Sequence, residues 1–141
     1  MRKLILFSGL LSAPIALLLH PSGPVKQFHS DQPLPVPSEL FGKACQNCHS
    51  EKTEWPWYSY APPFSWLVEH DVSEARQHLN FSRWNDYSPE QRRELLGKIA
   101  AEVRTKEMPP QRYQALHPEA RISDEDRRRI YDWAKKERKR E

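Results

Sequence analysis

The chain has 141 residues, a formal net charge of +3 and a mean hydropathy of −0.86. These values fit one domain with an extension and exclude a membrane protein with several spans. The 22 basic and 19 acidic residues are interleaved along predicted helices, which argues against nucleic acid as a partner. Aliphatic residues are sparse between residues 39 and 137, where all Trp and Tyr residues lie. We therefore expect a thin core that needs further apolar surface.

The N-terminal segment is typical of exported proteins. Arg2 and Lys3 precede an apolar run over residues 4–19. No pair of small residues marks a cleavage site, and Pro21 and Pro24 crowd the place where a peptidase would cut. Residues 1–20 are therefore predicted to be an uncleaved transmembrane helix, with a cleaved signal as the alternative. The rest of the chain is then on the periplasmic side of the inner membrane, or soluble in the periplasm.

A proline-rich stretch follows and separates this segment from the domain. Residues 21–37 contain five prolines, and such a density opposes both helix and sheet and favours a stiff extended tether. Residues 38–141 are assigned to the globular domain.

The domain is predicted to be all-α, with about four helices joined by long loops. Ser38 is a plausible cap for a helix over residues 38–48, and a second helix is expected over residues 65–79. Ser88-Pro89-Glu90-Gln91 carries a capping-box signal for a helix ending near Lys106. Ser123 caps a last helix that carries Ile130, Trp133 and Ala134. No segment alternates with the two-residue period of a strand.

The two cysteines of the chain form the motif Cys45-Gln46-Asn47-Cys48-His49. Two thiols three positions apart on one helical turn point the same way, and both can bond one edge of a porphyrin while His49 reaches the iron. This pattern predicts one covalently attached haem c. Three other roles of the cysteines are less suitable. A redox dithiol would be expected in a βαβ context, and Cys48 and His49 are neighbours that do not suit one tetrahedral zinc ion. A disulfide across so short a loop would add little stability.

Met108 is the candidate for the second axial ligand of the iron. It is the only methionine besides the initiator, and Pro109 and Pro110 hold it in an extended loop after the third helix. The competing ligands are His70, His78 and His117. Each of them could instead be an ordinary histidine that only makes hydrogen bonds. The aromatic segment over residues 55–66 is predicted to form a haem wall, with Arg76 as an ionic partner for the propionates.

These residues together resemble the small bacterial haem-binding domain proteins, which are membrane-anchored, single-haem proteins of the c type. The resemblance covers about residues 40–133, and it rests on several segments of the sequence: Cys45-Gln46-Asn47-Cys48-His49-Ser50, Trp55-Pro56-Trp57-Tyr58-Ser59, Ser65-Trp66-Leu67-Val68, His70-Asp71-Val72, Leu79-Asn80-Phe81-Ser82, Met108-Pro109-Pro110 and His117-Pro118-Glu119-Ala120-Arg121. It implies a fold similar to small cytochrome c domains, in which the helix bearing Phe41 packs across the C-terminal helix.

The function expected from these observations is one-electron transfer outside the cytoplasm, with iron held by His49 and Met108. The partners would be redox proteins at the outer face of the membrane, and no catalytic residue is assigned, because a saturated iron leaves no site for substrate. A haem-based sensor or gas-binding module with an open or labile sixth position is the alternative. An enzyme of peroxidase type would need an acid–base group such as His70 beside a cationic helper such as Arg76.

Overall fold

The computed structural model describes residues 36–141, and the regular secondary structure of this part of the chain is all helical, with no strand. It contains six α-helices: α1 (Ser38–Phe41), α2 (Asn47–His49), α3 (Phe64–His78), α4 (Pro89–Thr105), α5 (Gln111–Leu116) and α6 (Asp124–Arg138). A π-helical turn, Gly42–Gln46, joins α1 to α2, and we call the continuous stretch over residues 38–49 the motif helix. Three 3₁₀ helices lie in the connections: Trp57–Tyr60, Phe81–Asp86 and Pro118–Ala120.

The all-α prediction is confirmed, but the expected four helices are fewer than the six observed. The motif helix, α3, α4 and α6 correspond to the predicted ones, whereas α5 was missed. The helix α1 includes Ser38, and its first hydrogen bonds go to the carbonyl of Pro37, so Ser38 begins the helix rather than preceding it. The helix α3 begins at Phe64, one residue before the predicted start.

The two long helices α4 and α6 begin at the predicted caps. The Ser88 hydroxyl accepts from the backbone N–H of Gln91, whose side chain accepts in turn from the backbone N–H of Ser88. This reciprocal pair satisfies two amides that the first turn of a helix leaves unpaired. The Ser123 hydroxyl accepts from the backbone N–H of Asp126 at 3.0 Å and caps α6.

The aliphatic core lies where α4 packs along α6. The helical period of α4 predicted four buried residues, and all four are buried: Leu95, Leu96, Ile99 and Val103. In α6, Ile130 and Ala134 are fully inaccessible to solvent. Burial of these side chains is the main apolar contribution to the stability of this half of the domain.

The Phe41 side chain packs the motif helix against this core. Its ring is 1% exposed and meets Trp133 of α6 edge-on at a centroid distance of 5.0 Å, and Phe81 at 5.6 Å. Aromatic pairs favour such edge-to-face contacts. The motif helix therefore packs across the C-terminal helix, as the resemblance to small cytochrome c domains implied, and Cys45 follows one turn after Phe41 against the same core.

The predicted anchor, residues 1–20, and most of the proline-rich linker, residues 21–37, lie outside the described part of the chain. Within residues 36–141, none of the helices has the length and apolar character that a membrane span requires.

Candidate functional site

The π-helical turn and α2 place Cys45, Cys48 and His49 on consecutive turns of the motif helix. Both cysteines are free thiols and partly exposed. Burial, with a smaller contribution from the neighbouring Cys48, raises the pKa of Cys45 to about 12, although Arg127 opposes the shift. Burial also raises the pKa of Cys48 to about 11, with a smaller contribution from Asp71. Both sulfurs are therefore protonated at neutral pH.

His49 is oriented by the end of α3. Its Nδ1–H donates to the carbonyl oxygens of Ala75 and Leu79, both at 3.1 Å. Burial lowers the pKa of His49 below its ordinary value, although these two backbone bonds oppose the shift. The neutral imidazole has one protonated nitrogen, and the two carbonyls require that it be Nδ1. The lone pair of Nε2 is then available to a metal, which is the arrangement typical of a histidine ligand.

Arg76 holds the end of the motif helix against α3. Its Nε–H donates to the carbonyl of Ser50 at 2.9 Å, and its Nη2–H donates to the hydroxyl of Thr53 at 2.8 Å. Thr53 in turn donates to the carbonyl of Asn47, and Ser50 to that of Gln46. The sequence suggested Arg76 as a propionate partner, whereas here it fixes the backbone that carries His49. Ser50 and Thr53 were not recognised from the sequence, because such residues are common in any helix end.

Met108 lies in a separate segment of the chain, and Arg127 contacts this segment and acts on Cys45. The Met108 carbonyl accepts from Arg127 at 3.0 Å, and the same guanidinium donates to the carbonyl of Val103 at 3.2 Å. Arg127 is also close enough to Cys45 to lower the pKa of its thiol. The Met108 backbone is thus fixed at the end of the site where Cys45 lies, and the residue is partly buried. Its bond to iron stays a prediction.

Large apolar side chains are exposed on α3 and α5, the two helices that carry Asp71 and Arg112, whose charges act on Cys48. Phe64 and Leu67 of α3 are 52% and 47% exposed, and Leu116 of α5 is 63% exposed. One turn after Leu67, Asp71 pairs with Arg112 of α5 at 2.9 Å, and both of these charges act on the Cys48 thiol. Large exposed apolar side chains on neighbouring helices suit contact with a bulky apolar group. We call Phe64, Leu67 and Leu116 the open apolar face.

Three buried polar side-chain atoms in the described part of the chain lack a hydrogen-bond partner, one of them within the cysteine motif. They are Gln46 Nε2, Trp55 Nε1 and Ser65 Oγ. An unpaired buried donor costs free energy unless an acceptor is supplied. Gln46 stands between the two cysteines, and its amide and the Trp55 indole are donors that carboxylate groups such as haem propionates would satisfy. The residues present therefore fit a haem.

Two of the three competing histidines are engaged with other side chains. His70 is 73% exposed and pairs with Glu74, one turn further along α3. His117 hydrogen-bonds both Tyr58 and Glu119. His78 is exposed, and its charge lowers the pKa of His49, so it lies near the proximal histidine.

An aromatic network that the sequence did not reveal reaches the motif. Tyr113 of α5 stacks on His117 with ring centroids 4.4 Å apart, and its hydroxyl accepts from Asn47 Nδ2 at 3.1 Å. His117 contacts Tyr58, which belongs to the 3₁₀ helix Trp57–Tyr60. Tyr113, which lies outside the aromatic segment, therefore joins Tyr58 and His117 in one cluster, and a haem wall formed by this segment stays a prediction.

Comparison with known proteins gives the same cofactor. The haem-binding domain family matches residues 20–136, which is most of the chain. This protein belongs to the haem-binding domain family. It is also 32% identical over 100 residues to the cytochrome c peroxidase Ccp of Escherichia coli K12, a match over 68% of this chain and 21% of that protein. The chain thus spans about a fifth of the length of this relative. No solved structure is significantly similar to it.

Proposed function

We propose that this haem-binding domain holds one haem c through thioether bonds to Cys45 and Cys48, with the iron between His49 and Met108, and that it transfers single electrons. The observation that carries the proposal is the orientation of His49. Its Nδ1–H is bonded to two backbone carbonyls, so Nε2 is left with a free lone pair on the helix that also carries both thiols.

The geometry of the thiols supports covalent attachment. Cys45 and Cys48 are both free and partly exposed, three positions apart on one helix. Neither thiol is paired in a disulfide, and the open apolar face offers a contact surface that suits a porphyrin ring. The unpaired donors of Gln46 and Trp55 are suited to the propionates.

The anchoring of Met108 supports its assignment as the sixth ligand. Arg127 fixes the Met108 carbonyl, and the Met108 amide donates to the carbonyl of Glu102 at 3.3 Å. A backbone fixed at both ends can hold a thioether at a constant position, and proximity to Arg127 associates this segment with Cys45. Haem bound in this way supplies an iron that accepts and releases one electron, and a thioether ligand favours the reduced iron.

The remaining polar residues support electron transfer over enzymatic turnover. An enzyme of peroxidase type would need His70 and Arg76 together on an open haem face. Instead His70 points to Glu74 at the surface, and Arg76 is bonded to Ser50 and Thr53. We therefore propose that the domain is not itself an enzyme.

We further propose that the domain works on the periplasmic side of the inner membrane, with residues 1–20 as its anchor and redox proteins as its partners. The basic residues that precede the apolar run support this orientation. Attachment of haem c outside the cytoplasm is consistent with it.

Absorption spectra of the purified oxidised and reduced protein test the proposal. We expect low-spin iron, the weak far-red band of a sulfur–iron bond in the oxidised form, and no rapid binding of carbon monoxide after reduction. High-spin iron that binds carbon monoxide at once would contradict the six-coordinate site. That result would favour a sensor or gas-binding module with an open sixth position.

A further inference from the structure

Tyr58, His117 and Glu119 form a hydrogen-bonded line beside the motif. The Tyr58 hydroxyl and His117 Nε2 are 2.5 Å apart, and His117 Nδ1 lies 3.0 Å from Glu119 Oε1. A carboxylate only accepts, so Nδ1 must carry the hydrogen. Nε2 is then an acceptor in the neutral ring, and the Tyr58 hydroxyl must donate to it. Both hydrogen bonds are therefore donated in the same direction, from the phenol to the imidazole and from the imidazole to the carboxylate.

The surroundings keep the imidazole in place for this bond. The His117 side chain is 15% exposed, and the Tyr113 ring stacks on it at 4.4 Å. The Glu119 carboxylate can compensate a positive charge on His117, since a hydrogen bond between imidazolium and carboxylate is stronger than one between neutral groups. A fixed base within hydrogen-bond distance of a proton is the geometry required for proton transfer.

Tyr58 also connects the interior of the site to the surface. The charge of Cys48 contributes to the raised pKa of Tyr58, whose largest cause is burial, so the phenol lies near a predicted point of haem attachment. On its other side the Trp57 ring lies 5.9 Å away, centroid to centroid, and is 83% exposed. Two oxidisable rings in contact thus lead from the neighbourhood of Cys48 to solvent.

We propose that Tyr58 is a redox-active tyrosine whose oxidation is coupled to proton transfer to His117. The Tyr58 phenol gives one electron to a strong one-electron oxidant, its O–H bond breaks, and the proton bonds to His117 Nε2. The products are a neutral tyrosyl radical, an imidazolium held by Glu119, and the oxidant reduced by one electron. Return of an electron, with the proton moving back from Nε2, restores the phenol.

This inference goes beyond the proposed function and does not require Met108 to bind iron. Ordinary electron transfer by a six-coordinate haem needs no tyrosyl radical, so either idea can fail without the other. The oxidant in the test is tris(bipyridine)ruthenium(III), generated by a light flash with persulfate.

The test is electron paramagnetic resonance of the intact, haem-loaded protein, frozen at intervals after the flash. In the unaltered protein we expect a tyrosyl signal that forms more slowly in deuterium oxide. Tyr58→Phe should remove most of this signal. Tyr60→Phe, which alters an exposed tyrosine on the same 3₁₀ helix, should leave it unchanged.

Two further variants test the proton acceptor. His117→Phe keeps an aromatic ring for Tyr113 to stack on but removes the acceptor, and we expect tyrosyl formation to slow roughly a hundredfold, at the lower end of what a positioned base contributes. Glu119→Gln alters a partly exposed side chain with little change of shape, and it should slow tyrosyl formation to a smaller extent. A tyrosyl signal of full size in Tyr58→Phe, or unchanged rates in both other variants, would overturn the proposal.

Discussion

At His49, hydrogen bonding assigns different tasks to the two ring nitrogens. Nδ1 is bonded to the end of α3, while the lone pair of Nε2 is left free to bind a metal. The sequence predicted this histidine and both cysteines, because covalent attachment fixes their spacing. It did not predict the bonds of Arg76 to Ser50 and Thr53, since they join segments more than twenty positions apart.

Removal of the Met108 thioether tests the sixth ligand. In Met108→Ala we expect the iron to become high spin or to take water or a histidine, because the fixed loop no longer presents a sulfur. Absorption spectra and carbon monoxide binding measure the change. Glu107→Ala, which alters the exposed preceding residue, is the matched control and should give the unaltered spectrum. A Met108→Ala spectrum that also matches the unaltered protein would remove Met108 from the iron.

The thiols of the haem-free protein should react slowly with iodoacetamide. Burial raises the pKa of Cys45 to about 12 and that of Cys48 to about 11, from 9.0, and only the thiolate reacts. At pH 8 the thiolate fraction of Cys45 should be about a thousandfold lower than in an unfolded chain, as a shift of three pH units implies. The rates should rise about tenfold per pH unit, with Cys48 faster than Cys45 and levelling off at a lower pH.

Mass spectrometry of peptides alkylated over a series of pH values measures both rates. The same chain in urea is the control, and there the two cysteines should react alike. Equal and rapid alkylation of both residues in the folded chain at pH 8 would show that the thiols are not shielded as described.

At the scale of elements, the caps and the helical period predicted α4 and α6 well. Ser88, Gln91 and Ser123 bond as expected, because these contacts involve neighbours in the sequence. The helix α5 was missed since it has six residues, starts after Pro110 without a side-chain cap and buries no residue completely. Its place depends on distant contacts, such as Arg112 with Asp71 and Tyr113 with Asn47.

Arg127 connects α6 with the segment that carries Met108. Because its guanidinium bonds the carbonyls of Val103 and Met108, Arg127→Ala should leave two acceptors without a charged donor. We expect the free energy of unfolding to fall by about 1–3 kcal/mol. A more mobile Met108 should also raise the fraction of iron that binds carbon monoxide.

Thermal unfolding and carbon monoxide titration measure these two effects. Arg128→Ala is the matched control, because Arg128 is the exposed neighbour on the same helix. An Arg127→Ala protein as stable as the control, with no gain in carbon monoxide binding, would contradict the role assigned to this residue.

Residues 36–141, the described part of the chain, form two unlike halves. The motif helix, α4 and α6 enclose the aliphatic core with Phe41, while the open apolar face of α3 and α5 is exposed. The sparse aliphatic composition predicted that the chain would need more apolar surface, and we propose that haem supplies it at this face. The composition could not show the division into halves, which results from tertiary packing.

Loss of covalent attachment should therefore affect one half first. In Cys45→Ala with Cys48→Ala we expect faster proteolysis within residues 57–67 and 111–117, because the open apolar face loses its cover. The pairing of α4 with α6 should remain protected for longer. Limited proteolysis followed by mass spectrometry locates the cuts, and equal resistance in the variant and the haem-loaded protein would show that haem contributes nothing to the packing.

The most direct test of the central claim is the mass of the denatured protein purified from its native host. Thioether bonds survive denaturation, so covalent attachment predicts a mass that exceeds the mass of the polypeptide by that of one haem, and a coloured chain. A colourless chain with the mass of the polypeptide alone, or of the polypeptide with Cys45 and Cys48 joined as a disulfide, would contradict the account.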